Sequence, residues 1–405
     1  MHEEITRLFI VDPNLIDAAG HYLQHATAIS EEAVSRGILV TWVTAASFDI
    51  TLAPDFVQLR RIFTHNIFDE FQSNEEGWVL NNFNQYNQYF YGLLVSLGLH
   101  SVDRSIFLFS NVLHNQLYAI ENWSQLLPEH SYAVCILRWN NATMDYNRTR
   151  GATAAIEQLY RYCLSNQGLV SRKIFMASDT VRLAHYYQSL GSGVSVHVLP
   201  NPQVAGQIRD THRTTYCDGP VSIGCFGSFS RLRGSQLISE IMDSILRVRS
   251  DVRFICQVQD LNNEDSKSIV TLQNRYRHNV IILAGILDAR LYSYSLASTS
   301  LILMPYCPAF YEFGSSGVAC EALTFGIPAV LPSDTTIHDE FEAAGAGFVE
   351  AQQWTSSAFA ASTLAALNDL EQLRGLSSSA SSTYIQKTSP GTFLDGLLGL
   401  PSSAA

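Results

Sequence analysis

The feature that most constrains the fold of this chain is a strand, loop, helix and strand pattern over residues 301–331. The apolar run 301–304 has the composition of a buried strand, and a loop of glycine and serine lies at 314–317. Residues 318–323 favour a helix, and glycine and proline separate it from a second apolar run at 329–331. This order predicts one βαβ unit of a parallel sheet.

The Gly/Ser loop is the place in this unit where we expect a ligand. In parallel sheets, ligands bind beyond the carboxyl ends of the strands. The free N–H groups at the start of the following helix favour an anion. The pattern therefore predicts a phosphate-binding site at this loop.

Two other segments also alternate between strand, loop and helix patterns. Residues 8–43 read as strand, loop, helix and strand, and residues 221–249 read as strand, loop and helix with the loop at 227–234. Arg231 and Arg233 lie in that loop, and a guanidinium can bond two phosphate oxygens at once. Two solvated arginines in a turn are the alternative. We favour phosphate binding because the loop leads directly into a helix.

Length and composition limit the class of protein. The chain has 405 residues, 47% hydrophobic and 15% charged, which predicts two globular domains. A net charge of −12 argues against general nucleic-acid binding, which needs a basic face. The seven cysteines lack C-x-x-C spacing, and their odd number fits reduced thiols. With no signal-peptide pattern and no apolar run near about 18 residues, we expect a cytoplasmic protein with at most peripheral membrane contact.

Three motifs together resemble the retaining nucleotide-sugar glycosyltransferases with the GT-B fold. The first is P-Y followed by a glycine loop and E-A-L-x-x-G-x-P-A-V over residues 305–330. The second is the loop G-S-F-S-R-L-R-G at 227–234, and the third is the junction L-P-N-P at 199–202. The resemblance is strongest over residues 220–350.

This resemblance implies an α/β fold with two Rossmann-like domains facing a cleft. Residues 1–205 are then an N-terminal domain on the acceptor side, and residues 206–385 are the domain that binds the nucleotide-sugar donor. Residues 386–405 are then a C-terminal crossing segment and tail.

The resemblance also implies roles for individual residues. Glu321 matches the glutamate that holds the ribose hydroxyls of the nucleotide. The preceding glutamate of the family is expected at Phe313, and Glu312 stands one residue away. Either the loop has gained a residue, or backbone N–H groups replace that carboxylate. In the 227–234 loop, Arg233 replaces the family's lysine.

The set of implied site residues is larger. Ser228 replaces the family's first arginine in the loop, and Arg231 can supply its charge. The implied donor-binding residues are Gly20, His21, Arg231, Arg233, Gly285, Gly314, Ser315, Ser316, Gly317, Val318 and Glu321. The implied catalytic residues are His114 and Glu312. No D-x-D segment follows a strand, so we expect no metal, and the nucleotide diphosphate sugar is a substrate rather than a cofactor.

The function implied is transfer of a sugar, with retention at the anomeric carbon, to a hydroxyl of a saccharide, a lipid-linked saccharide or a small molecule. A sugar-nucleotide epimerase on the same fold is one alternative. A non-catalytic scaffold that binds nucleotide or a partner protein is another, because Ser228 and Glu312 depart from the family pattern. Polysaccharide biosynthesis is the expected setting.

Residues 78–97 predict an amphipathic helix, because their apolar positions recur every three or four residues. Asn, Gln and Tyr occupy its other face. These side chains either line an acceptor groove or meet solvent, and the sequence favours solvent.

Overall fold

The computed structural model describes residues 5–17, 22–67, 69, 78–139, 150–167, 173–191, 193–203 and 220–403. The chain forms two compact units. Unit 1 comprises Met1–Val204 and Thr388–Ala405, and unit 2 comprises Ala205–Lys387.

Unit 1 contains a seven-stranded parallel sheet with the strand order β3-β2-β1-β4-β5-β6-β7. Its strands are β1 (Arg7–Asp12), β2 (Leu39–Ala45), β3 (Gln58–Phe63), β4 (Ser105–Val112), β5 (Tyr132–Leu137), β6 (Ile174–Ser178) and β7 (Val196–Val198). Its first five helices are α1 (Tyr22–Ser35), α2 (Trp78–Ser96), α3 (His114–Ser124), α4 (Arg150–Gln167) and α5 (Val181–Leu190).

Unit 2 contains a six-stranded parallel sheet with the order β10-β9-β8-β11-β12-β13. Its strands are β8 (Val221–Cys225), β9 (Val252–Val258), β10 (Val280–Ala284), β11 (Leu301–Leu303), β12 (Ala329–Pro332) and β13 (Phe348–Ala351). Its helices are α6 (Ser235–Leu246), α7 (Glu264–Arg275), α8 (Ala289–Ala297), α9 (Pro308–Tyr311), α10 (Gly317–Phe325), α11 (Thr336–Ala344), α12 (Ser356–Asn368) and α13 (Leu370–Lys387).

The central strands read as apolar runs because helices cover both faces of a parallel sheet. All six residues of β5 are buried, as are all residues of β11 and β12. Each unit has a hydrophobic core of such buried residues.

The last helix, α14 (Pro390–Ser403), belongs to unit 1 rather than to the unit that precedes it in sequence. Its apolar side chains Phe393, Leu394 and Leu397 join the core that α1 covers. Arg36, which directly follows α1, lies 2.5 Å from the carboxylate of Asp395. The chain therefore returns to unit 1 after completing unit 2.

The α/β class and the two Rossmann-like domains predicted from sequence are confirmed by the two parallel sheets. The 301–331 segment contains β11, α10 and β12, with the short helix α9 as an unpredicted addition. Within the part of the chain that is described, no helix is long and apolar enough to cross a membrane.

Candidate functional site

The strand order of unit 2 reverses between β8 and β11. From β8 the chain proceeds to β9 and β10 on one side, and β11 then starts the other half of the sheet. The loops that leave the carboxyl ends of β8 and β11 therefore flank a crevice. This is the position at which open α/β sheets bind ligands.

The loop after β8 depends on two glycines. Gly227 has φ +92°, and a Cβ atom there would lie 1.9 Å from a guanidinium nitrogen of Arg233. Gly234 has φ +77°, and its Cβ would lie 2.0 Å from the carbonyl oxygen of Pro305. Glycine at 227 therefore makes room for the arginine side chain, and glycine at 234 lets the two loops approach closely.

Two glutamines that sequence reasoning missed hold this loop. The buried Gln257, near the end of β9, accepts a hydrogen bond from the Gly227 N–H at 2.9 Å. Gln259 accepts from the Phe229 N–H at 2.7 Å and donates to the Gly227 carbonyl at 2.9 Å. The sequence does contain one sign of this contact: Gln257 is a polar residue near the end of the otherwise largely apolar strand β9. These bonds fix the loop backbone before any ligand binds.

Arg233 lies at the centre of the crevice. Its Nε donates to the Tyr311 hydroxyl at 3.1 Å, and its guanidinium carbon lies 5.7 Å from the centre of the Tyr306 ring. Burial lowers the pKa of Arg233, but the surrounding tyrosines, Tyr306 first, raise it, and the net direction is upward. Among the described residues no carboxylate forms a salt bridge with it. The site therefore holds a largely enclosed positive charge without a paired anion.

Glu321 projects from α10, and the Tyr292 hydroxyl of α8 donates to its Oε2. Burial raises the pKa of Glu321 to about 7, against the hydrogen bond from Tyr292 and the positive charge of Arg233. The Tyr292 ring packs edge-on against Phe226 at 5.8 Å between ring centres. The carboxyl group is thus held in one orientation and titrates near neutral pH.

The N-terminus of α10 adds backbone donors to the same crevice. Ser316 caps the helix by accepting from the Ala319 N–H at 3.3 Å. Val318, in the first turn, would lie 3.1 Å from a Cβ on Gly227. The structure therefore brings together two segments that the sequence predicted separately: the 227–234 loop with Arg233, and the 301–331 segment with Glu321 and the start of α10. It adds the tyrosines that no pattern assigned to a role.

Three other predicted residues lie in unit 2: Arg231, in the same loop as Arg233, and Gly285 are predicted to bind the donor, and Glu312 is predicted to be catalytic. The side chain of Arg231 is 72% exposed, and its Nε lies 3.6 Å from Asp265 of α7. Gly285 has φ +83° in the turn after β10. Glu312 is exposed at the end of α9, and its carbonyl accepts from Thr336 Oγ1 at 2.9 Å. Their predicted roles stay predictions.

Two further predicted residues, Gly20 and His21, lie outside the described residues. Gly314 is buried, and a Cβ there would lie 3.1 Å from the Phe310 carbonyl oxygen. Ser315 and Gly317 are half-buried beside it. The predicted Gly/Ser loop therefore forms the connection between α9 and α10.

Unit 1 has its own reversal of strand order, between β1 and β4, and a polar cluster fills it. Asp12 ends β1 and is buried. Its Oδ2 accepts from Ser110 Oγ at 2.8 Å and from Asn111 Nδ2 at 2.6 Å, and its Oδ1 accepts from the Asn14 N–H at 2.9 Å. Burial raises the pKa of Asp12 even though these hydrogen bonds lower it.

Arg138 continues this cluster from the end of β5. It lies 2.5 Å from the carboxylate of Asp179, a side chain with 2% exposure. It also donates to Asn111 Oδ1 and to Asn201 Oδ1, each at 3.0 Å. Every charge of this cluster thus has an internal partner.

His114, predicted to be catalytic, begins α3 in unit 1. It is 7% exposed, and its ring centre lies 5.7 Å from that of Tyr160. Burial lowers the pKa of His114 to about 3, so the imidazole is neutral at neutral pH. Its catalytic role stays a prediction. No group of three metal-ligating side chains occurs among the described residues.

Sequence comparison identifies no relative: no protein-family profile matches the chain, and no curated protein sequence matches it significantly. Solved structures do match over nearly the whole chain. Sucrose-phosphate synthase from Thermosynechococcus elongatus matches with a TM-score of 0.65 at 13% identity, covering 99% of this chain and 100% of that chain. HepE from Anabaena, in complex with UDP, has a TM-score of 0.65 at 12% identity, covering 98% and 100%. TarM has a TM-score of 0.68 at 10% identity, covering 98% and 99%.

These structural neighbours are GT-B glycosyltransferases, as the sequence motifs predicted. At such low identity the likeness establishes the fold of this chain.

Proposed function

We propose that this protein transfers a sugar from a nucleotide diphosphate sugar to a hydroxyl acceptor, with retention at the anomeric carbon. The observation that carries this proposal is Arg233, an enclosed guanidinium without a carboxylate partner among the described residues. It lies at a strand-order reversal beside a glycine loop and close to a helix N-terminus. That combination suits a diphosphate better than any other common anion, because two phosphates can use the arginine and the backbone donors together.

In this mechanism the chain stabilises the leaving group. As the bond from sugar to diphosphate breaks, negative charge grows on the phosphate oxygen. In this proposal Arg233 and the N–H groups at the start of α10 face that charge, so they lower the barrier without reorganising. The structure of HepE with UDP-glucose is a precedent for this kind of donor on this fold.

Glu321 holds the other end of the nucleotide in this proposal. An ionised carboxylate accepts hydrogen bonds from both ribose hydroxyls. Tyr292 fixes the carboxyl group for that contact by donating to one of its oxygens. The exposed Glu312 contacts the donor sugar if its loop closes on the substrate, and otherwise backbone N–H groups take that role.

We further propose that the reaction needs no divalent metal, because Arg233 and backbone donors meet the charge of the diphosphate. Turnover should therefore survive incubation with EDTA. The measurement is release of nucleoside diphosphate with and without the chelator. Activity that EDTA abolishes and magnesium or manganese restores would contradict this part of the mechanism.

The first experiment is a thermal-shift screen of UDP, ADP, GDP and TDP. A nucleotide present at a hundred times its dissociation constant stabilises the protein by about 2.7 kcal/mol. The sugar donors of the nucleotide that stabilises are then incubated with candidate saccharide acceptors, and NMR of the product reports the anomeric configuration. An inverted product would overturn the proposed retention.

The same assays separate the alternatives. Interconverted donor sugar indicates an epimerase. Nucleotide binding with neither transfer nor interconversion indicates a scaffold, which the loss of the family's arginine at Ser228 favours. A cytoplasmic location and a role in polysaccharide synthesis remain predictions of this proposal.

A further inference from the structure

Unit 1 carries a groove of about 830 Å³ on its outer helical layer. Helices α2, α3 and α4 form it and pack against one another. All described residues that line it belong to unit 1, and none belongs to the Arg233 site. Its volume lies within the range of small-molecule sites, roughly 300–1,000 Å³.

Three tyrosines expose their rings in this groove, one from each helix. Tyr91 is 37% exposed, Tyr118 is 38% exposed and Tyr162 is 51% exposed. The ring centres of Tyr118 and Tyr162 lie 6.0 Å apart. A cluster of large aromatic side chains that are exposed together often marks a binding site.

The polar lining consists of side-chain amides and tyrosine hydroxyls. The described lining residues include five asparagines and glutamines and no charged side chain, in a chain whose net charge is −12. Among the described residues, the side-chain amides of Asn84, Gln88 and Gln158 form no hydrogen bond with another residue. Free amides both donate and accept, so they suit a ligand whose polar groups do both.

The floor of the groove is fixed in advance. Asn87 accepts from the Ala119 N–H at 2.7 Å and donates to the Phe83 carbonyl at 2.8 Å. Because this buried side chain bonds α2 to α3, the spacing of the two helices does not depend on a ligand. A site formed in advance loses little entropy on binding.

We propose that this groove binds a neutral oligosaccharide. Sugar rings present C–H faces that stack on tyrosine and hydroxyls that pair with amides, and a neutral glycan carries no charge to leave unpaired. A nucleic acid or an anionic lipid surface needs basic residues, which the described lining lacks. If the proposed transferase function holds, the bound glycan is the acceptor chain or its product. That role rests on the proposed function, whereas glycan binding by the groove does not.

The test begins with the full-length protein, without nucleotide, on an array of neutral and uronic-acid-containing oligosaccharides. Calorimetry with the best neutral glycan follows. We expect binding to neutral glycans and none to their acidic counterparts. The double variant Tyr118→Ala/Tyr162→Ala should bind about fourfold to a hundredfold more weakly, since each stacking ring contributes roughly 0.5–1.5 kcal/mol, which is about a twofold to tenfold change in affinity.

Two controls sharpen the result. Tyr162→Phe keeps the ring and should retain most of the affinity. Tyr294→Ala removes a tyrosine that is 62% exposed in unit 2 and should bind like the wild type. Melting curves check that each variant is folded. Tyr118 is only 38% exposed and its ring centre lies 6.4 Å from that of Phe83, so the double variant should melt below the wild type, and Tyr162→Ala alone then carries the test. The absence of any neutral ligand, a preference for acidic glycans, or unchanged binding by the double variant would each overturn the proposal.

This outcome is independent of the outcome for the nucleotide site. Arg233→Ala should bind the glycan as well as the wild type does. Glycan binding by a protein that shows no transfer would leave the groove proposal standing and remove the proposed function. Transfer without glycan binding would overturn the groove proposal and leave the proposed function standing.

Discussion

Unit 1 has one strand more than unit 2, but the first six strands of both sheets follow the same order, and the carboxyl ends of β1 and β4 occupy the same place as those of β8 and β11. Both places hold an arginine and a carboxylate. In unit 1, Arg138 pairs with Asp179, and Asp12 accepts three hydrogen bonds from its neighbours. In unit 2, Arg233 donates to the Tyr311 hydroxyl, and Glu321 accepts from the Tyr292 hydroxyl.

The difference shows two uses of one topology. Buried charge must be paired, and unit 1 achieves this inside the protein. In unit 2 the tyrosines orient the charged groups without neutralising them. An incoming anion can therefore complete the pairing in unit 2, whereas in unit 1 it would first have to displace an internal carboxylate.

The largest expected effect is on the stability of unit 1. Asp179→Ala leaves the guanidinium of Arg138 without its counter-ion, and removing one partner of a buried pair costs about 3–5 kcal/mol. Denaturant unfolding monitored by tryptophan fluorescence measures this cost. The control is Asp251→Ala, which removes an exposed partner of Arg249 and should change stability by less than about 1 kcal/mol. Equal effects of the two variants would contradict the contrast between buried and exposed pairs.

The next effect is on nucleotide affinity. Arg233→Ala removes the charge that the site leaves for a ligand, and losing two charge-assisted hydrogen bonds weakens nucleoside diphosphate binding by about a hundredfold or more. Calorimetry measures the change. Arg247→Ala is the matched control, because that exposed side chain pairs with Asp243 and has no predicted role in the site, so it should alter affinity little. Arg231→Ala measures the second predicted phosphate contact, and a larger loss from it than from Arg233→Ala would reverse the assignment.

A smaller, pH-dependent effect is expected at Glu321. Glu321→Ala should weaken nucleotide binding by about tenfold or more, because the ribose hydroxyls lose their acceptor. With a pKa of about 7, the carboxyl is ionised above neutral pH and protonated below it. The wild-type advantage over Glu321→Gln should therefore be present above pH 7 and decline as the pH falls through that value. The ratio of the two affinities isolates the carboxyl, since ionisation of the nucleotide is common to both.

Unchanged nucleotide affinity in Glu321→Ala would place the ribose elsewhere. A ratio that stays constant across neutral pH would show instead that Glu321 remains ionised, with Tyr292 and Arg233 outweighing burial.

The smallest effect on binding is expected at Glu312. If this carboxylate reaches the donor sugar, Glu312→Ala lowers turnover while affinity for the bare nucleotide stays near the wild-type value, because the nucleotide lacks that sugar. Donor kinetics and nucleotide calorimetry on the same variant measure both. Unchanged turnover would assign the contact to backbone N–H groups at the start of α10.

The sequence by itself determined the features that depend on neighbours along the chain. Apolar runs and turn residues predicted the strands, the helices and the α/β class. Glycine spacing located the loop after β8, because only glycine adopts the positive φ of Gly227 and Gly234 at little cost. The place of the 227–234 loop before a helix pointed to Arg233, and the resemblance to the glycosyltransferase motifs pointed to Glu321; both roles stay predictions.

Only the tertiary structure decided which side chains meet across the sheets and between helices. Tyr292 and Glu321 are 29 positions apart, and Ser110 is 98 positions from Asp12, so no local pattern reports either contact. The outer face of α2, which the sequence favoured as solvated, borders a groove because α3 and α4 pack beside it. Hydrogen bonds and grooves of this kind depend on packing distances, and residues distant in sequence acquire those distances only when the chain folds.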